Sequence, residues 1–147
     1  MRVNLLGYWR CIQEAAPYLK KSAHGRVVNI ASIHAERPTG FDAAYSMSKG
    51  GIRMLTREAA LALAPWKITV NAINFGAIFI GKKSGNWPMR PPKRLPSKIP
   101  QGAAIPSGRV GNTEDAGHCA VFLASEESGY ITGASLCADG GMMLVTP

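Results

Sequence analysis

Short apolar runs alternate with segments of helical spacing along this chain, and the alternation constrains the fold more than any other feature. The runs occupy residues 26–31, 68–73 and 134–138. They are rich in β-branched or small side chains, which is typical of strands buried on both faces. Helices between such strands favour parallel pairing, because a parallel crossover needs a long connection. The sequence therefore predicts an α/β fold built on a parallel sheet.

Apolar spacing and end signals predict three helices, over residues 3–21, 42–64 and 114–124. The first has no capping residue at its start, so we expect the chain to open within a helix. Asp42 is the predicted N-cap of the second helix, Pro65 its end, and Thr113 the predicted N-cap of the third. The core stripe of the second helix is predicted to be Met47, Ile52, Leu55, Ala59 and Leu63.

Composition indicates a globular domain. Apolar residues make up 46% of the 147 residues and charged residues 18%, and no apolar run approaches the roughly 18 residues that span a bilayer. Cys11, Cys119 and Cys137 lie far apart without metal-ligand spacing, so we expect reduced thiols and no metal site. No secretory signal is visible. These features predict a cytoplasmic protein without membrane contact.

The net charge of +8 comes from one segment. Residues 81–109 contain seven basic residues and no acidic one, whereas ten basic residues balance nine acidic ones elsewhere. This segment overlaps a long stretch, 74–107, that holds six of the ten prolines and is predicted to be a functional loop. Its charge either attracts an anionic substrate or is a solvated surface. Nucleic-acid binding is not expected, because Trp87 is its only aromatic residue where stacking usually needs several.

Three side chains indicate chemistry at a carbonyl oxygen. Tyr45 and Lys49 are four residues apart, so a helix places them on one face. Ser32 closes the first strand, thirteen residues before Tyr45. A hydroxyl, a phenol and an ammonium in one pocket can move a proton on or off a carbonyl oxygen. The tyrosine–lysine pair alone is more typical of surface neighbours, and His34 either lines the same pocket or is a plain loop residue.

These residues and their surroundings resemble the catalytic half of the short-chain dehydrogenase/reductase family. The likeness includes Val-Val-Asn-Ile-Ala-Ser32, Tyr45-Ser-Met-Ser-Lys49 and the run from Ile68 to Gly76. It continues from Gly108-Arg-Val-Gly to Asp139-Gly-Gly141, so it covers nearly the whole chain in the right order. The last part most resembles bacterial members that act on sugars or 3-oxoacyl thioesters.

The resemblance implies an NAD(P)-dependent oxidoreductase that interconverts a secondary alcohol and a ketone. In that reading Tyr45 is the general acid/base, and Lys49 favours its phenolate and also holds the nicotinamide ribose. Ser32 orients the substrate oxygen, and Asn4 holds a water in a proton relay behind the lysine. The hydride must come from NAD or NADP, because no side chain supplies one.

The resemblance also assigns cofactor contacts. The expected contacts are Tyr45, Lys49, Gly76 and Ile78, with Lys49 at the ribose and backbone groups near Ile78 at the nicotinamide amide. At a position where the family usually has a threonine that contacts this amide, the chain has Ile80, whose side chain cannot donate or accept a hydrogen bond.

The family's glycine-rich phosphate turn, Gly-x-x-x-Gly-x-Gly, has no counterpart in the chain. We therefore expect one partial, Rossmann-like domain over residues 1–147, a parallel sheet with flanking helices that lacks the N-terminal glycine-rich βαβ part. Residues 81–107 are its expected substrate loop. The predicted partners are a small-molecule substrate, which is anionic if the charge of residues 81–109 attracts it, and further copies of the chain, as a dimer or tetramer. The alternative is a catalytically silent fragment or oligomerisation module that cannot bind the dinucleotide alone.

Overall fold

The computed structural model describes residues 1–40, 42–80 and 105–145. Five strands and three α-helices follow one another in the described ranges. In chain order they are α1 (Tyr8–Leu19), β1 (Arg26–Ser32), α2 (Ala43–Leu63), β2 (Thr69–Phe75), β3 (Ile78–Phe79), β4 (Gly111–Asn112), α3 (Thr113–Ala124) and β5 (Ser135–Ala138). A π-helical turn, Arg2–Gly7, leads into α1. The predicted loop 81–107 lies outside the described residues except for its last three positions.

A three-stranded parallel sheet in the order β1-β2-β5 forms the centre of the fold. β1 pairs with β2 from Arg26 opposite Thr69 to Ser32 opposite Phe75, so the two strands end at the same level. β2 has a partner on both sides and its residues 69–74 are all buried. This agrees with the apolar run and confirms the predicted parallel α/β sheet.

Two short elements and one strand extension depart from the prediction of a loop after residue 73. β2 continues through Phe75, and β3 then pairs in parallel with β4 over only two residues. Strands of two residues have no readable periodicity, which is why the sequence pattern did not reveal them.

Helix α2 packs on the sheet through the predicted stripe, with one correction. Ile52, Leu55, Ala59 and Leu63 are buried, but Met47 is 63% exposed. Met47 precedes Ile52 by five residues, which places it about 140° away around the helix at 3.6 residues per turn. The exposed Met54 and Leu61 follow Met47 at intervals of seven, so these three residues form a separate apolar row.

The N-cap predicted for α2 is confirmed, and the N-cap predicted for α3 is wrong. Asp42 Oδ1 accepts a hydrogen bond from Tyr45 N at 2.8 Å, as expected of the α2 N-cap. Helix α3 is capped by Asn112 and not by Thr113, because Asn112 Oδ1 accepts from Asp115 N while Asp115 Oδ2 accepts from Asn112 N. This reciprocal pair is a capping box, and it moves the helix start by one residue.

Candidate active site

Ser32 is the last residue of β1, at the carboxyl edge of the sheet where ligands of parallel α/β folds usually bind. Its side chain is buried, and its Oγ accepts a hydrogen bond from His34 N at 3.2 Å. The acceptor role in this contact leaves the hydroxyl proton of Ser32 available for another oxygen.

Tyr45 and Lys49 lie on the first turns of α2. Asp42 caps the helix by accepting a hydrogen bond from Tyr45 N. Lys49 follows Tyr45 one turn later. Lys49 Nζ lies 5.7 Å from the centroid of the Tyr45 ring, so the predicted pair is on one face. Both side chains are half-buried.

The backbone of β1 binds the lysine. Lys49 Nζ donates to Ile30 O at 3.1 Å, two residues before Ser32 on the same strand. Burial lowers the pKa of Lys49, because a half-buried ammonium loses hydration. An ammonium has three N–H donors, so two remain after this contact.

His34 joins the serine side of the site to the tyrosine side. Its ring meets the Tyr45 ring edge-on, with 6.1 Å between centroids. His34 Nδ1 lies 3.0 Å from Arg37 O, and a carbonyl oxygen can only accept, so Nδ1 carries the proton of this hydrogen bond. Arg37 in turn donates to Met142 O at 3.2 Å, which attaches the C-terminal segment to this turn.

The structure does not tie Asn4 to the other three residues. Asn4 is exposed on the π-helical turn, and no side-chain hydrogen bond of Asn4 is found within the described ranges. The turn itself packs on α2, since a Cβ at Gly51 would lie 2.8 Å from Leu5 Cδ2. The backbone is thus held beside α2, while the relay role of Asn4 stays a prediction.

The expected cofactor contacts Gly76 and Ile78 follow the end of β2. Gly76 N donates to Ala138 O at 3.2 Å, and a Cβ at Gly76 would lie 2.7 Å from Asp139 Cβ. Only glycine allows this close approach of the two strand ends. Ile78 begins β3, and the Ile80 side chain is 71% exposed. The cofactor contacts of Gly76 and Ile78 stay predictions.

Sequence reasoning missed Tyr8. This residue of α1 donates its phenol to Ile30 O at 2.9 Å, the same oxygen that Lys49 binds. Burial raises the pKa of Tyr8, and the nearby Tyr45 raises it further. No local pattern marked it, because its partner is a backbone oxygen of β1, 22 residues further along the chain.

The described residues fit the ribose end of a nicotinamide dinucleotide in their donor set. Tyr45 offers a phenol that can donate or accept, and Lys49 offers two uncommitted N–H groups for ribose hydroxyls. Across the described ranges no group of three or more His, Cys, Asp or Glu residues is placed to hold a metal ion. None of the helices described there is long and apolar enough to cross a membrane.

A parallel α/β sheet with serine, tyrosine and lysine around one strand end is typical of the Rossmann-like oxidoreductases. A family model described as enoyl-(acyl carrier protein) reductase matches residues 1–143. The chain therefore belongs to the short-chain dehydrogenase/reductase family, as the sequence motifs indicated.

Curated relatives agree with this assignment. An uncharacterized oxidoreductase of Thermotoga maritima is 37% identical over 144 residues, which cover 97% of this chain and 55% of the relative. Glucose 1-dehydrogenase 2 of Bacillus subtilis is 37% identical over 143 residues, which cover 97% of the chain and 53% of that enzyme. The chain spans about half the length of the curated relatives it matches.

Solved structures share the fold. Acetoin dehydrogenase from Salmonella typhimurium has a TM-score of 0.80 at 34% identity, over 99% of this chain and 55% of that one. Gluconate 5-dehydrogenase from Burkholderia cenocepacia, solved in complex with NADP and tartrate, has a TM-score of 0.82 at 28% identity, over 99% of this chain and 55% of that one. The Rossmann-like class is thus confirmed for the described part of the chain.

Proposed function

We propose that this chain carries the proton-transfer half of an NAD(P)-dependent oxidoreductase that interconverts a secondary alcohol and a ketone. The observation that carries the proposal is the placement of Lys49 one turn from Tyr45 and hydrogen-bonded to the strand that ends in Ser32. Residues 1–147 are then one partial domain, with 81–107 as its substrate loop.

Tyr45 is the proposed general acid/base. The Lys49 ammonium lies 5.7 Å from the centroid of the Tyr45 ring, so its positive charge attracts the negative charge that the oxygen of Tyr45 carries as a phenolate. In the oxidation direction the Tyr45 phenolate takes the hydroxyl proton of the alcohol as the C–H bond breaks, and in reduction it returns that proton to the oxygen. When bound, NAD or NADP would accept or supply the hydride.

Ser32 is proposed to orient the substrate. Its Oγ already accepts from His34 N, which leaves its proton to donate to the reacting oxygen. Asn4 is proposed to support a water relay behind Lys49. The backbone of Gly76 and Ile78 is proposed to contact the nicotinamide amide.

The proposed substrate is a small, polar molecule with an anionic group. Relatives named for glucose and gluconate support a small polar molecule, and the basic segment 81–109 supports an anionic group on it. The protein is further proposed to form a homo-oligomer, either a dimer or a tetramer, and to lie in the cytoplasm.

The experiment replaces Tyr45 with phenylalanine in the protein expressed from its complete gene. Wild-type protein is first screened with both dinucleotides against sugars, sugar acids, acyloins and 3-oxoacyl thioesters. We expect Tyr45→Phe to lower kcat by at least 10²-fold, the scale of general acid–base catalysis. Tyr18→Phe is the control, because Tyr18 is 74% exposed on α1. Unchanged turnover in Tyr45→Phe would contradict the mechanism.

A second candidate is a silent fragment or oligomerisation module. It is favoured by the match to only about half of each relative and by the absence of a glycine-rich phosphate turn from the sequence. Titration of the 147-residue chain with NADH, followed by nucleotide fluorescence, separates the two. Saturable binding at millimolar or lower concentration rejects the silent module.

A further inference from the structure

The turn that follows β5, residues 139–145, is held in shape by one carboxylate. Asp139 Oδ1 accepts a hydrogen bond from Gly141 N at 2.9 Å, and its Oδ2 accepts one from Met143 N at 2.7 Å. Gly141 has a φ of +90°, so the tight bend depends on the conformational freedom of glycine. The turn therefore has a defined shape to which other segments can bind.

Arg37 connects the 139–145 turn to the residues that follow Ser32. Its Nη1 donates to Met142 O at 3.2 Å. The Arg37 side chain is half-buried, and a hydrogen bond from a charged donor is stronger than one between neutral groups. The Arg37 carbonyl also binds His34 Nδ1 at 3.0 Å, so one residue holds both the His34 ring and the turn.

Residues 105–107, the described end of the expected substrate loop, bind the 139–145 turn from another side. Ser107 N donates to Gly140 O at 3.0 Å, and Ile105 is buried. A Cβ at Gly140 would lie 2.6 Å from Ile105 Cγ2 and closer still to Ser107 Oγ. The two segments thus pack so tightly that the position accepts no side chain.

We propose that the 139–145 turn bridges the two sides of the substrate site, and that Arg37 is the positioning residue that anchors the bridge. Through the turn, Arg37 sets the distance between Ser32 and residues 105–107, and this distance determines how the substrate fits. The tyrosine and lysine of α2 are not among its hydrogen-bond partners in the described ranges. The inference rests on the proposed function, because the substrate site is the one assigned there.

Steady-state kinetics of the protein from its complete gene tests the anchor. Arg37→Met should raise KM for the substrate alcohol about fivefold or more and leave kcat within about twofold, because the proton-transfer pair is untouched. A purely structural role would instead lower the active fraction, and hence kcat, at constant KM. The control is Arg57→Met, at an exposed arginine of α2. A smaller rise in KM, a fall in kcat alone, or an equal change in the control overturns the proposal.

Hydrogen exchange followed by mass spectrometry tests the same contacts without turnover. Peptides that cover residues 105–108 and 139–145 should exchange about fivefold faster or more in Arg37→Met than in wild type, because loss of the anchor lets the turn open more often. Arg57→Met should match wild type. Unchanged exchange of both peptides in Arg37→Met overturns the bridge.

A second variant opens the bridge from its other side and does not need Arg37→Met to fold. Gly140→Ala places a methyl group against Ile105 and Ser107, at a φ of +62°. Gly40→Ala is the matched control, since its φ is +82° and its Cβ would meet no atom of the described residues within 4 Å. Only Gly140→Ala should speed the exchange of residues 105–108, and an equal response in both variants overturns the proposal. Because exchange is read without substrate, unchanged turnover in Tyr45→Phe would refute the proposed function and leave this result distinct.

Discussion

Lys49 shows how the proposed function and the stability of the fold oppose each other at a single residue. Its ammonium is half-buried, and burial lowers its pKa, so the charged form is held at a cost in folding free energy. A group whose folded pKa lies below its unfolded pKa binds fewer protons in the folded state between the two values. Stability therefore rises with pH across that window.

Replacement of Lys49 by methionine should raise the melting temperature at neutral pH. The charged group and its cost are removed, and Tyr8 still donates to Ile30 O. The gain over wild type should shrink as the pH rises through the folded pKa of Lys49 towards the ordinary lysine value, because the wild-type lysine then loses its proton. Thermal unfolding at neutral and alkaline pH measures this, with the exposed Lys21→Met as control. A lower melting temperature in Lys49→Met than in the control would count against the account.

The placement of three of the four predicted site residues, though not their roles, follows from local spacing. Ser32 closes an apolar run, and Tyr45 and Lys49 are one helical turn apart, so their approximate placement follows from secondary structure alone. Tyr8 was not predictable in this way. Its partner is a backbone oxygen of Ile30, and whether that oxygen is available depends on how the strands of the sheet pair.

At the scale of elements, Asn112 and Thr113 are neighbouring residues that are both suited to cap the start of α3. Both asparagine and threonine are good N-caps, so the choice between Asn112 and Thr113 depends on which one Asp115 reaches. Asp115 Oδ2 accepts from Asn112 N at 2.8 Å and is also paired with Arg109, which lowers the pKa of Asp115. The sequence pattern predicted the helix. The contacts of Asp115 with Asn112 and Arg109 determine its first residue.

Asn112→Ala should therefore destabilise the chain more than Thr113→Ala does. We expect about 1 kcal/mol for the loss of the cap and less than about 0.5 kcal/mol for the exposed threonine. Urea unfolding of both variants measures the difference. If the threonine variant were the less stable one, the capping box at Asn112 would be wrong.

At the scale of the whole molecule, β1 presents an edge without a strand partner in the described ranges. Ile30 on this strand is 41% exposed, although the apolar run 26–31 predicted a strand buried on both faces. Unpaired apolar edges invite pairing with another chain. The exposed row of Met47, Met54 and Leu61 on α2 adds apolar surface of the same kind.

We therefore expect the 147-residue chain to self-associate at micromolar concentration. Ile30→Lys should reduce the association, because a charged side chain protects a strand edge, whereas Tyr130→Lys at a fully exposed position should not. Sedimentation velocity measures this. A single monomer boundary for the wild-type chain, with cooperative thermal unfolding, would refute the expectation.

The central claim is that Tyr45 handles the proton while a hydride moves between a secondary alcohol and a nicotinamide. The most direct test incubates the protein from its complete gene with the oxidised dinucleotide and a substrate alcohol deuterated at its carbinol carbon. Mass spectrometry then follows the reduced dinucleotide. The account predicts deuterium in the dinucleotide with wild-type protein and a loss of at least 10²-fold in its rate of formation with Tyr45→Phe. Reduced dinucleotide without deuterium, or equal labelling rates in both proteins, would contradict it.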